Sequence, residues 1–308
     1  MPWPVTAPFR MRPNLEKLDA DAPALLLRDE LVDVYRKERV RVLAAHPERA
    51  IVGAQNEQAL AAIQSLAPSP RVGQSWGEGG GCSSNNRGFP LKHTPLPSPL
   101  PQGERGQDVA LSLQEDFVIL KQETDALRTE YLSVCFPSRW DPREKLGLDF
   151  AAIHAPVADN QTLLAAGQSI MTMAFIKQPM LRHVWLIVPS ASLDQHPDKN
   201  EAWWSETLRD MSPLLPNLYF RVERQTTWQL PHLQRAVFLI RVMMSPLVEV
   251  LREPLSIRPN GVVGPGDVIA TRAQALAASL RSMTPEVVAY RGMTDAMPRL
   301  LAELDHFE

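Results

Sequence analysis

Apolar residues recur at three- and four-residue spacing through Leu25, Leu26, Leu27, Leu31, Val34 and Tyr35 and on to Val40, Val42 and Leu43, which predicts helix within residues 14–67. Asp21 caps the first long helix in this reading, Glu30, Asp33, Lys37 and Arg39 mark its wet face, and a second helix covers 56–66. The period changes to two where Val109, Leu111 and Leu113 alternate with small or polar residues, and with the apolar run 117–120 this predicts one or two strands. Residues 125–131 read as a short helix or connection into a strand at 134–136, which Pro137 and Ser138 cut off. A methionine-rich helix over 161–177 follows, then a strand at 184–188 ended by Pro189 and a helix around 201–211. Two β-type runs within 218–244 flank Pro231 and predict an antiparallel hairpin. The chain turns helical again from Asp267, restarts at Thr284, Pro285 and Glu286, and ends in an amphipathic helix over 295–304.

The stretch 68–106 breaks this pattern. It holds a quarter of the prolines and more than half of the glycines of the chain, and it has too few apolar side chains to offset the entropy of ordering it. It reads as an exposed, disordered insertion, and TPLPSPLPQGERG within it resembles peptides translated from bacterial interspersed repeats. The domain reading is therefore an N-terminal helical segment at 1–67, an insertion at 68–107 and a mixed domain with C-terminal helices at 108–308, of α+β class. Lys and Arg number 32 against 35 Asp and Glu, so charge favours neither nucleic acid nor a membrane surface as partner. Two cysteines without metal-ligand spacing and no apolar run of membrane-spanning length predict a cytoplasmic protein.

Candidate chemistry concentrates in VCFPSRWDPREKLGLDFAAIHAPV, residues 134–157. Arg139 and Trp140 set a cation beside a flat ring, a pair that can line a wall against something planar or anionic. His154 ends the apolar segment 151–153 just before Pro156 stops any helix; it reads either as a core histidine bonded to a carbonyl or as a metal ligand whose second nitrogen is oriented by another group. On the hairpin, Val222, Arg224, Thr226 and Trp228 share one face and Arg221, Glu223, Gln225 and Thr227 the other, so whichever face is buried carries an arginine; Arg241 poses the same problem in the partner strand. Each inward guanidinium needs an anion, from the protein or from a ligand. Glu115 and Asp116 are adjacent and read as turn residues, since neighbours on a strand face opposite ways. The methionine-rich helix serves as soft core or as the wall of a small-molecule cavity.

In order along the chain, LQEDFVIL, VCFPSRWDPREKLG, AIHAPV, RVERQT and TPEVVAYRGM resemble the haem-dependent oxidative N-demethylase subunit family, and DAPALLLRDELVDVYRKERVRVL looks like its opening helices. The resemblance implies a PAS-like fold, an antiparallel sheet flanked by helices, holding one haem b at 108–308. It implies a haem monooxygenase that oxidises a small secondary amine such as dimethylamine with O2 to a primary amine and formaldehyde, with electrons from NADPH through a partner reductase subunit. His154 of AIHAPV is then the expected axial ligand, with Cys135 as its rival. Arg139, Arg221 and Arg224 are expected, on charge, to meet the haem propionates, beside Trp140. A haem-binding sensor and a non-haem interaction module are the alternatives. The chain departs from the family pattern at Ala158 and Asp159, where proline and glycine are usual, and at Val184, where the usual motif is Arg-x-Asn-Trp.

Overall fold

An open sheet of seven strands, every neighbouring pair antiparallel, carries the molecule in this computed structural model. The structure describes residues 1–12, 14–18, 25–67, 104–124, 126–199, 203–209, 212–255 and 271–307. The strands are β1 (Glu16–Lys17), β2 (Ile51–Gly53), β3 (Asp116–Gln122), β4 (Leu127–Ser133), β5 (Met180–Val188), β6 (Tyr219–Leu230) and β7 (Arg235–Pro246), and they lie in the order β1-β5-β6-β7-β3-β4-β2. The spine is the β6–β7 hairpin, two twelve-residue strands paired in continuous register from Tyr219↔Pro246 to Leu230↔Arg235. Pro231 stands in its turn, where its missing N–H breaks no ladder bond, and Gln234 takes the left-handed conformation that reverses the chain.

Helices α1 (Val32–Ala45), α2 (Pro47–Ala50), α3 (Glu57–Leu66) and α4 (Glu104–Ser112) form the N-terminal part. Asn56 caps α3 by accepting from the Ala59 N–H at 2.8 Å, and Leu60 and Ile63, both fully buried, pack on Phe117, Ile119, Val237 and Leu239 of the sheet. Each such side chain contributes about 1.5–3 kcal/mol through burial. Later in the chain come α5 (Phe150–His154), α6 (Gln161–Ala165), α7 (Gly167–Thr172), a π-helical turn at Met173–Lys177, and α8 (Trp203–Arg209). The last group, α9 (Leu247–Arg252), α10 (Arg272–Arg281), α11 (Pro285–Tyr290) and α12 (Met297–Asp305), buries Leu276, Leu280 and Leu300 against Trp185, Ile187, Phe220 and Val222.

The α+β class and the hairpin agree with the sequence reading; several elements do not. Residues 109–112 belong to α4, whose start at Glu104 also falls inside the stretch assigned to the insertion. Apolar alternation over five residues satisfies a helix face as well as a strand face, and Val109 and Leu113 at i and i+4 share the side packed on α3 and β3. Residues 127–133 form β4, and 134–136 continue beyond it as buried irregular chain. On α1 the faces are reassigned: Val34 and Val40 are exposed, while Arg39, read as wet, is completely buried. Arg39 donates to Asp116 at 2.7 Å, and Asp116 also accepts from the Cys135 and Phe136 N–H groups at 2.9 Å each. Asp116 is therefore the buried anchor of β3 and no turn residue; against the cost of burial it holds the Arg39 guanidinium more firmly protonated. Glu115 lies on the other side, accepting from the Leu27 N–H at 2.7 Å. Asp21, Asp267 and nearly all of 68–106 lie outside the described residues. No helix among the described residues is long and apolar enough to cross a membrane.

Candidate functional site

Because alternate residues of a strand face opposite ways, the register divides the sheet into two chemically distinct surfaces. On one surface the cross-strand neighbours are Arg182 with Gln225, Val184 with Glu223, Gln225 with Ile240, Thr227 with Phe238, and Phe238 with Val118. These side chains floor a cavity of about 370 Å3, within the range of small-molecule and cofactor sites. Its roof is the chain from Ser138 to Phe175, which brings in Trp140, Phe150, His154, Leu163, Ile170, Met171 and Phe175. The methionine-rich helix thus serves as cavity wall, and its π-helical turn lies where it meets β6 and β7.

His154 is set by a chain of local contacts. Asp149 caps α5 by accepting from the Ala152 N–H at 2.8 Å, and Asn160 donates to the His154 and Ala155 carbonyls at 3.0 Å each, closing the other end. The imidazole lies 4.1 Å, centroid to centroid, from the Phe150 ring, and its Nδ1 is 2.8 Å from the Phe150 carbonyl. A carbonyl only accepts, so Nδ1 carries the proton and Nε2 carries the lone pair. Burial lowers the pKa of the ring and keeps it neutral at pH 7. The two readings of this histidine are therefore one geometry, since the carbonyl bond of a core histidine is also the bond that orients a metal-binding imidazole. The family's usual glycine after His-x-Pro-Val also finds its reason, because Asp159 has φ 53°, a left-handed conformation that Asp tolerates better than most residues.

Of the other expected residues, Arg139 and Trp140 line the cavity, and Arg139 itself has φ 63°. Arg221 and Arg224 do not line it. Arg224, on the opposite surface and paired with Arg241, donates to the Leu25 carbonyl at 3.1 Å. Arg241 finds its anion in Asp29, at 2.7 Å. Arg221 shares the cavity surface but lies beyond its edge, donating to the Phe136 and Leu193 carbonyls at 2.8 and 3.0 Å and to the Ser138 hydroxyl at 2.8 Å. Carbonyl dipoles, not a contacting carboxylate, solvate this fully buried guanidinium, and burial pulls its pKa down to about 10. The free thiol of Cys135 is buried beside Phe136 and away from the cavity, with its pKa pushed up to about 12 by desolvation, which removes it as a rival ligand.

Sequence reasoning missed Arg182, Glu223 and Lys145 as cavity residues. Arg182 has a buried Nε without a hydrogen-bond partner, and burial lowers its pKa, partly offset by the field of Glu223. The predicted strand began at Val184 and left Arg182 outside it; the observed β5 reaches back to Met180, and its register with β6 puts Arg182 on the same surface as Glu223 and Gln225. Arg182, Arg139, Lys145 and Arg291 contribute cations to a cavity lining that is otherwise largely apolar and aromatic. Such a lining, with a neutral imidazole on the wall, fits a flat apolar group that bears carboxylates and a metal. Among the described residues no cluster of three or more His, Cys, Asp and Glu could hold a metal ion. The comparisons agree with that chemistry: residues 88–261 match the model of the family described as haem-dependent oxidative N-demethylase, alpha subunit-like. A search of curated proteins found no match.

Proposed function

Since the chain belongs to the haem-dependent oxidative N-demethylase alpha-subunit-like family, on a match over more than half of its length, we propose that it is the haem-binding subunit of an O2-dependent monooxygenase. In this reading, a PAS-like domain takes a small secondary amine to a primary amine and formaldehyde, with electrons from NADPH through a partner reductase. The observation that carries the reading is the His154 imidazole, tethered through Nδ1 and kept neutral, on the wall of an aromatic cavity lined in part by cations.

His154 would hold the iron of haem b through Nε2, and the Phe150 carbonyl would raise the basicity of that nitrogen. The propionates would meet Arg182 and Arg139, with Lys145 beside them; Arg221 and Arg224, expected on charge alone, are occupied by backbone carbonyls and act in the frame of the sheet. Trp140, Phe150 and Phe238 would exclude water from the ring faces. The bound group supplies oxygen activation and electron storage. Val184, standing where the family motif has an amide, makes the floor beside Glu223 apolar and narrows the polar choice available to a substrate.

The absorption spectrum of the purified protein with added haemin tests the reading. A Soret band is expected in the wild type and in His183→Ala and His196→Ala, and it is expected to be absent in His154→Ala. Formaldehyde release from dimethylamine with NADPH and a reductase then tests the reaction. A haem-loaded protein that releases none with any competent reductase is a sensor or an inactive relative.

A further inference from the structure

Glu223 contributes the sole carboxylate of the cavity lining among the described residues, and it is buried, with 8% of its surface exposed. A carboxylate in such a place is costly unless it is hydrogen-bonded or paired. Ser138 donates its hydroxyl to Oε1, and the Gln225 amide donates to Oε2 at 2.7 Å. Both donors are neutral. Arg221 reaches Glu223 only through Ser138, whose Oγ accepts from the Arg221 Nε at 2.8 Å, and Arg182 on the neighbouring strand acts on it through its field without a salt bridge. No lysine or arginine forms a salt bridge with Glu223 among the described residues. A carboxylate accepts about four hydrogen bonds, and these two donors leave half of that capacity for a group in the cavity that Glu223 lines. On the same surface, Val184 and Val242 flank it across the strands, while Trp140 and Phe238 offer aromatic faces to the chamber.

We infer that Glu223, held in place by Ser138 and Gln225, is the residue that binds the ammonium group of the protonated amine substrate. This rests on the proposed N-demethylase reading. A small secondary amine is a cation at pH 7, and its entry into an apolar chamber requires an anion that is already ordered and not already neutralised by a contacting cation. Glu223 meets both conditions, and the aromatic faces favour the methyl groups and the positive charge. Arg182 and Arg139, which form no salt bridge with Glu223, are left to anionic groups, and Glu223 to the ammonium. Ser138 and Gln225 are positioning residues, and Arg221 polarises the Ser138 hydroxyl from behind.

The test is calorimetric titration of dimethylammonium chloride into wild type, Glu223→Gln and Glu223→Asp, each with haem and as the apoprotein, with isopropanol as a neutral probe of similar shape. Glu223→Gln is expected to weaken dimethylammonium on the order of tenfold to a hundredfold and to leave isopropanol unchanged, with the Soret band retained; Glu223→Asp falls between. If Glu223→Gln does not fold, Ser138→Ala, which keeps the carboxylate but frees Oε1, is expected to weaken the ammonium by a smaller factor. Equal affinity of wild type and Glu223→Gln for dimethylammonium, or of wild type and Ser138→Ala where that variant replaces it, overturns the assignment and leaves the haem reading intact. Absence of the Soret band with the charge discrimination preserved overturns the haem reading and leaves Glu223 as an ammonium site.

Discussion

The pair of Arg39 and Asp116 shows how a single residue's role depends on what it meets. Both side chains are withdrawn from water, so removing one strands the other: Asp116→Asn is expected to cost about 3–5 kcal/mol, read as a lowered midpoint in chemical denaturation. Replacing both by apolar residues of similar size is expected to recover much of that loss. Gly292 is a second position where one atom decides. It has φ 68°, and a Cβ there would stand 2.9 Å from an Arg139 Nη, so Gly292→Ala combines left-handed strain of about 1–2 kcal/mol with displacement of Arg139. The expected result is lower stability together with weaker haem retention, measured by thermal denaturation and by haem transfer to apomyoglobin. His154, Arg139 and Trp140 were legible as candidates because an imidazole before a proline and a cation beside an indole are unusual in an apolar context. Arg182 was not singled out, because the apolar run that predicts the strand begins at Val184, two residues beyond it.

At the scale of elements, the cap of the turn at Pro142–Lys145 is a pH-sensitive joint of the cavity roof. Asp141 accepts from the Arg143 N–H at 2.9 Å and pairs with its side chain, and this bond, opposed by partial burial, holds its carboxyl at about 2. The folded value lies below the unfolded one, so the stabilisation is complete above pH 4 and is lost as pH falls from about 4 to about 2. Arg143 is half-exposed, so solvent screens this contact and its contribution to stability is small. Asp141→Asn should flatten that part of the acid limb in a plot of stability against pH. The hairpin β6–β7, α3, α11 and α12 were predicted near their observed bounds because each carries a strong local signal: a proline turn, an Asn or Thr cap, or a sustained apolar stripe. Strand β4 and helix α4 were not, since LRTEYLS and ERGQDVALS carry mixed propensities and take their form from pairing with β3 and from packing on α3.

For the whole molecule, the two surfaces of the sheet separate frame from site. Arg224 and Arg241 sit on the surface covered by the N-terminal segment, with Asp29 and Glu115 for counter-charge, whereas Arg182 and Glu223 sit on the cavity surface. Arg182→Gln is accordingly expected to lower haem affinity at nearly unchanged stability, and Arg224→Gln to lower stability at nearly unchanged haem affinity; haem titration beside urea denaturation distinguishes them. The sequence alone determined which residues could do chemistry and that arginines would lie inside the hairpin, because residue type and the two-residue period of a strand are local properties. Only the tertiary structure decided which of those arginines is solvated by carbonyls and which is matched by a carboxylate, and that Arg182 of β5 is presented to the cavity. Those outcomes depend on the register between β5, β6 and β7 and on what the roof from Ser138 to Phe175 presents across the cavity, and both are contacts between segments far apart in the chain.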